Sequence, residues 1–157
     1  MGQEPVLRRL VTLLDDAGCP YEVIEHGSVS TAREAAEARA TDLDEGVKAI
    51  LLKYDDRFGI FALNAARQVR SAKIRRGLRV KRTRFASRDE LLEMTGLLPG
   101  AVPPFGEPVL PFPLFADPTV ARHETLVFTA GSRTTSIRMA TADYQRIARP
   151  RLLDFVR

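Results

Sequence analysis

The stretch Val47-Lys48-Ala49-Ile50-Leu51-Leu52-Lys53-Tyr54-Asp55-Asp56-Arg57-Phe58-Gly59-Ile60-Phe61-Ala62-Leu63 decides the fold. Val47 to Tyr54 is nearly continuous apolar sequence, the pattern of a buried strand. Phe58 to Leu63 returns in the same character across Asp55, Asp56 and Arg57, so the two halves read as a hairpin. Lys48 is the anomaly, a cation between Val47 and Ala49 at the start of an apolar strand. Lysine is rarely buried without a task or a partner. A sheltered ammonium can hold an ester carbonyl, carry a phosphate, or act as a base once desolvation lowers its pKa. The plain alternative is a lysine that snorkels from the strand end into water.

Working outward toward the N-terminus, Leu7, Leu10, Val11, Leu13 and Leu14 recur at helical spacing, predicting a helix over roughly residues 4 to 17 that stops at Gly18 and Pro20. Tyr21 to Glu25 alternates as a strand. Thr31 and Glu34 form a capping-box pair ahead of a helix over Ala32 to Ala40, and the acidic segment Asp42 to Glu45 leads into the hairpin. Toward the C-terminus, Ser71 is positioned to cap a short basic helix, Ala72 to Leu78, before the strand-like Val80 to Phe85. Ser87 and Glu90 make a second capping box, opening a helix that stops at Gly96. Pro99 to Pro113 holds six prolines and two glycines, too many for a regular element but suited to a stiff, defined loop. Leu114 to Ala116, Thr125 to Thr129 and Ser136 to Met139 read as strands, and Thr141 as the cap of a last helix, Ala142 to about Ala148. The expectation is one α/β domain spanning residues 1–157, built on a mixed sheet of about seven strands with several short helices.

The chain has 157 residues, a net charge of +4 and one cysteine, Cys19, which has no internal disulfide partner. No window approaches the ~18 consecutive apolar residues of a membrane span. A soluble, cytoplasmic protein is expected. From Arg67 to Arg84, nine of eighteen residues are basic and none is acidic. Arg67, Arg70, Lys73, Arg75, Arg76 and Arg79 carry most of this run, which suits phosphate neutralisation; a solvated helix face with a strand edge blunted by lysine and arginine is the alternative.

Several active sites can be set aside. His26 and His123 lack metal-ligand spacing, so no metal is expected. There is no Gly-x-Ser-x-Gly elbow, phosphate loop or dinucleotide fingerprint, and no cofactor is expected. What remains beside Lys48 is Gly100-Ala101-Val102-Pro103-Pro104-Phe105-Gly106, where glycines admit close backbone approach and prolines lock the dihedrals between them. A plain proline-rich turn would look the same. Asp117 either orients a site group or caps the turn at Pro118. Ala130-Gly131-Ser132-Arg133 either offers amides, a hydroxyl and a guanidinium to a substrate or simply turns a hairpin.

Taken in order, Glu45 to Leu52, Met94-Thr95-Gly96 with Gly100 to Gly106, Ala116-Asp117 and Ala130 to Arg133 resemble the YbaK family of aminoacyl-tRNA deacylases, relatives of the editing domain inserted in bacterial prolyl-tRNA synthetase. The likeness runs from about Leu7 to the C-terminus. Gly100 and Pro104 meet the family's Gly-x-x-x-Pro signature, and its near-invariant lysine falls on Lys48. Within the family the sequence is most similar to the free-standing group that clears serine and threonine from the wrong tRNAs. Gly100 to Phe105 and the tail Thr141 to Pro150 carry that similarity, whereas the Cys-tRNA(Pro) branch tends to have Gly-Gly where this chain has Gly131-Ser132. The resemblance implies a mostly antiparallel, partly barrel-like sheet and hydrolysis of an aminoacyl ester. In that reading Lys48 positions the substrate, backbone amides of the loop formed by Gly100, Ala101, Val102, Pro103 and Pro104 stabilise the oxyanion, and water attacks. His26, Thr31, Asn64, Phe105, Gly106, Asp117, Gly131, Ser132 and Arg133 would line the substrate side. The implied partner is aminoacyl-tRNA, with a synthetase as a possible second, and a monomer is expected. The same chemistry on Ala- or Cys-tRNA(Pro), and a non-catalytic tRNA-binding module, are the alternatives.

Overall fold

A computed structural model describes residues 3–27, 32–39 and 42–157. Within these residues eight strands, flanked by five α-helices, form two sheets rather than the single sheet expected. The first sheet is antiparallel, in the order β1 (Tyr21–Glu25), β7 (Thr135–Ala140), β6 (Thr125–Ser132). The second is mixed, in the order β4 (Thr83–Phe85), β2 (Val47–Tyr54), β3 (Arg57–Asn64), β5 (Leu114–Ala116), β8 (Arg151–Leu152). Its last two pairings, β3 with β5 and β5 with β8, are parallel. An isolated parallel bridge, Gly46 to Val127, joins the sheets. Among the described residues no closed barrel forms, which corrects the partly barrel-like expectation.

The hairpin pairs Val47 with Asn64 and continues to Tyr54 with Arg57, leaving a two-residue turn at Asp55-Asp56. Its buried character follows from having a core on each face. Val47, Ala49, Leu51, Ile60 and Ala62 enter the larger core together with Val6, Leu10 and Leu14 of helix α1 (Gln3–Asp16). Leu52, Tyr54, Phe61 and Leu63 enter a second core with Ile74, Phe115 and Phe155. Phe61 stacks on Phe115 at 4.8 Å and meets Phe155 edge-on at 5.4 Å, contacts worth ~0.5–1.5 kcal/mol each beyond burial.

Two helix starts differ from the sequence reading. Helix α3 (Ser71–Leu78) begins at Ser71 itself, with Arg70 at the cap position and no side-chain cap bond. Helix α5 (Thr141–Ala148) likewise begins at Thr141, whose hydroxyl donates to the His123 carbonyl at 2.6 Å. Helix α4 (Arg88–Thr95) has the full capping box, with Ser87 and Glu90 each bonded to the other's backbone amide. The expected strand Val80 to Phe85 shortens to Thr83–Phe85 because Asp55 takes the amides of Lys81 and Arg82 on its Oδ1. Helix α2 (Ala32–Arg39) lies where expected, while Thr31, and with it the first capping box, falls outside the described residues. Among the described residues no helix is long and apolar enough to cross a membrane.

Candidate active site

The site lies where β2 enters from a 3₁₀ turn, Leu43–Glu45, and meets β6. Leu126, Phe128 and Ala130 of β6 face the larger core, as do Val47 and Ala49 of β2. Alternation therefore puts Lys48 and Thr129 on the opposite face, each two residues beyond the Gly46–Val127 bridge. Ser136 of β7 is paired with Thr129 and shares that face. The backbone thus gathers Lys48, Thr129 and Ser136 from three strands of two sheets.

Lys48 is half-buried, and among the described residues it has no ion pair or hydrogen-bond partner. Burial lowers its pKa from the ordinary lysine value, and among the described residues no carboxylate offsets this. Such an ammonium is poorly solvated and receptive to an anion or a polarised carbonyl.

Thr129 leads to the proline-rich loop, since its hydroxyl donates to the Gly100 carbonyl at 2.6 Å. Four more carbonyls of the proline-rich segment are held. Arg133 Nε donates to Pro99, the Gly131 amide to Ala101, the Phe105 amide to Pro103, and the Tyr144 hydroxyl to Pro104. Of its amides, Ala101 is engaged by the Leu98 carbonyl, and the two prolines have none to offer. Among the described residues the amides of Gly100 and Val102 have no acceptor. A loop with most of its carbonyls tied back and amides left over has the make-up of a preorganised donor site. Gly106 permits the tight path, because a Cβ there would stand 2.6 Å from the Phe112 carbonyl oxygen.

The remaining sequence candidates separate into two groups. His26, at the end of β1, approaches the Gly27 carbonyl through Nδ1 and Ser136 Oγ through Nε2, both at 2.8 Å. A carbonyl only accepts, so Nδ1 carries a proton and donates to Gly27. His26 therefore adjoins the Lys48 face. Gly131, Ser132 and Arg133 act from behind the loop. Gly131 sits at φ 84 in a strand irregularity, where a Cβ would press on Val6 at 2.9 Å. Ser132 accepts from the Thr134 amide. Phe105 is buried against Phe128 and Tyr144.

Asn64 and Asp117 have scaffold bonds instead. The Asn64 amide group donates to the Asp44 carbonyl at 2.7 Å and its oxygen accepts from the Ala66 amide. Asp117, 2 % exposed, caps the 3₁₀ turn Pro118–Ala121 by accepting from the Thr119 amide, and its other oxygen accepts from the amides of Phe155 and Val156. This is the capping alternative, extended to the C-terminal segment; Asp117 and Asn64 hold backbone and do not face the Lys48 cluster through a free polar group.

Of the basic run, Ile74 is the buried anchor of α3, and the arginines ride on its outer surface. Lys73 pairs with Asp154 and Arg84 with Glu90. Among the described residues, Arg67, Arg70, Arg75, Arg76 and Arg79 make no ion pair. Arg75, Lys81, Arg82 and Arg84 line an open groove together with Lys53 and the hairpin turn. Sequence reasoning missed Thr129, Ser136 and Tyr144; each is ordinary within its own element and gains meaning only from a partner distant in sequence.

A donor loop bonded to β6 and a sheltered ammonium on β2 are groups that can receive an anion or a polarised carbonyl. The chain belongs to the aminoacyl-tRNA editing domain family, whose model matches residues 26–147. It is 34 % identical over 156 residues to the multifunctional Ser/Thr-tRNA deacylase ProXp-y of Escherichia coli K12, covering 96 % of this chain and 92 % of that one. It is also 34 % identical over 87 residues to the proline–tRNA ligase of Shouchella clausii, covering 55 % of this chain and 15 % of the ligase. The fold matches a solved protein proposed as a trans-editing enzyme for prolyl tRNA synthetase, with a TM-score of 0.82, 22 % identity and 98 % coverage of both chains.

Proposed function

We propose that this protein is a trans-editing hydrolase that cleaves the ester between a wrongly attached amino acid, serine or threonine above all, and the terminal ribose of tRNA. The observation that carries the reading is the tied-back loop, which leaves the amides of Gly100 and Val102 for the oxyanion, together with the Lys48 ammonium, which has no counter-ion among the described residues. Water is the nucleophile. As it adds to the ester carbonyl, negative charge collects on the carbonyl oxygen, where fixed N–H dipoles stabilise it without reorganising. Collapse expels the ribose oxygen, which leaves with a proton, and the amino acid departs as its carboxylate. Lys48 holds the substrate through the ester or the terminal phosphate.

The basic groove supports tRNA as the carrier of the ester. β2 runs from Lys48 to Lys53 at the groove, a Cα separation of about 17 Å at ~3.3 Å per residue. That distance suits a few unpaired nucleotides between the ester and the first base pair, with the stem phosphates over Arg75, Arg76 and Arg79. A-form RNA is commonly gripped through phosphates and shape in this way. The 34 % identity to a Ser/Thr-tRNA deacylase supports serine and threonine. One methylene or hydroxyl in a pocket is worth only ~1–3 kcal/mol, so alanine or cysteine is the nearest competing substrate.

The test is release of labelled amino acid from Ser-, Thr-, Ala- and Cys-charged tRNAs, correct and mischarged, by wild type and Lys48→Ala. Lys48-dependent loss of serine or threonine from non-cognate tRNA is the expected result. Selective loss of alanine or cysteine would keep the reaction and change the substrate. No hydrolysis across the panel, with tRNA still bound, would leave a binding module.

A further inference from the structure

Arg138 of β7 has no role in the chemistry above, yet it occupies a central place. It pairs with Glu22 of β1 and Val127 of β6, and lies two residues from Ser136, on the same face as Ser136 and Thr129. Its Nη2 donates to Glu45 Oε1 at 2.8 Å, and its Nη1 stands 3.8 Å from Glu22 Oε1. The other oxygen of Glu45 accepts from the Thr125 hydroxyl of β6 at 2.8 Å. Glu45 is the last residue of the 3₁₀ turn before β2, one residue from the Gly46–Val127 bridge and three from Lys48.

We propose that the Arg138–Glu45 pair is a positioning device for the reaction proposed above: it fixes the start of β2 against the three-stranded sheet and so sets Lys48 against the Gly100 loop. The argument is one of connectivity. The loop is bonded to β6 through Thr129 and Gly131, and His26 directly follows β1, whereas Lys48 belongs to the other sheet. Around Lys48 the sheets meet through the Gly46–Val127 bridge and through the larger core on the face opposite Lys48; on the Lys48 face, among the described residues, the polar ties between them come from the 3₁₀ turn. Arg138 spans β1 and the turn, and Glu45 carries the link on to β6. The neighbouring Asp44 adds a peripheral tie, its Oδ2 receiving His123 at 2.7 Å and Arg122 at 3.1 Å, but that tie reaches the turn after β5 rather than the strands holding the loop.

Desolvation alone would raise the Glu45 pKa, yet the hydrogen bonds from Arg138 and Thr125, with the positive field of Arg138 and His123, bring it below the ordinary value. Glu45 is thus ionised at neutral pH and the pair is charge-assisted. Guanidinium geometry matters, since the three N–H groups of a lysine share one nitrogen and cannot fork toward Glu22 while one of them holds Glu45.

Arg138→Gln, Arg138→Lys and Glu45→Gln test the proposal in two ways. With a competent aminoacyl-tRNA, Arg138→Gln and Glu45→Gln are expected to lower kcat at least about tenfold with little change in KM, and Arg138→Lys to recover part of the loss. Independently of turnover, the Lys48 pKa is followed by NMR of lysine-labelled protein, its signal assigned with Lys48→Arg. In the glutamine variants it is expected to move back toward the ordinary lysine value as the ammonium loses its sheltered position. Folded variants, judged by circular dichroism and thermal melting, whose Lys48 titration and kcat both match wild type overturn the proposal. Failure of wild type to hydrolyse any charged tRNA would count against the proposed function, and the titration would still decide whether the pair positions Lys48.

Discussion

The hydroxyl of Tyr144 donates to the Pro104 carbonyl at 2.7 Å across forty residues of chain, and the Tyr144 ring is fully buried. Burial drives the phenol pKa far above its ordinary value, so the group stays a donor at any working pH. The last helix thereby holds the proline end of the donor loop. Tyr144→Phe leaves a buried carbonyl without its partner, an expected loss of ~1–3 kcal/mol in denaturant unfolding. Deacylation is expected to fall through kcat more than through KM, because the loop acts on the transition state. Wild-type stability and kcat in this variant would show that the bond is dispensable.

Lys48 makes a pH prediction whose sign is fixed. Its folded pKa lies below the ordinary value of 10.5, so between the two the unfolded chain binds more protons, and the contribution of this group to stability rises with pH over that window. In the proposed reaction activity moves the other way, because there the ammonium is the working form. After subtraction of the uncatalysed ester hydrolysis, kcat should fall on the alkaline side through a pKa below that of an ordinary lysine. A profile flat up to the ordinary lysine range would remove the ammonium from the mechanism.

Replacing Arg75, Arg76 and Arg79 with glutamine should weaken tRNA binding and flatten its dependence on salt, by up to about one unit of slope for every phosphate that is no longer neutralised. Melting temperature should change little, since Ile74 is the buried residue of that helix. Binding titrations from low to moderate salt supply the slope. Unchanged affinity and slope would move the RNA elsewhere on the surface.

Asp117→Ala separates a scaffold role from a substrate role. Its carboxylate accepts three backbone amides, two of them in the C-terminal segment, and removing it should cost at least ~1–3 kcal/mol of stability. KM at a temperature where the variant remains folded should be near wild type. A raised KM with intact stability would return Asp117 to the substrate side.

Elements whose signals are local were legible from sequence. The hairpin strands, Tyr21–Glu25, Leu114–Ala116 and the Ser87–Glu90 capping box all lie where period, apolar run or cap chemistry put them. What could not be read depends on partners remote in the chain. Division into two sheets turns on β6 choosing β7 while Gly46 makes a single bridge to Val127. The two-residue β8 exists because β5 offers it an edge. Thr141 looks like a helix cap, but the His123 carbonyl competes for its hydroxyl and wins. Lys48 and Gly100 were visible as residues, yet the reason the loop can donate is a set of carbonyl partners spread from Thr129 to Tyr144.

The β2–β3 hairpin is a party wall, with one hydrophobic core on each side of it. A substitution in either core reaches the strand that carries Lys48, so that strand has little freedom to drift without disturbing both. The donor loop is restrained from β6 and α5 and has little freedom either. In such an architecture a change of substrate is accommodated at the margins of the pocket, while the catalytic strand stays the same. Descendants of this fold are therefore expected to diversify in what they accept long before they change how they react.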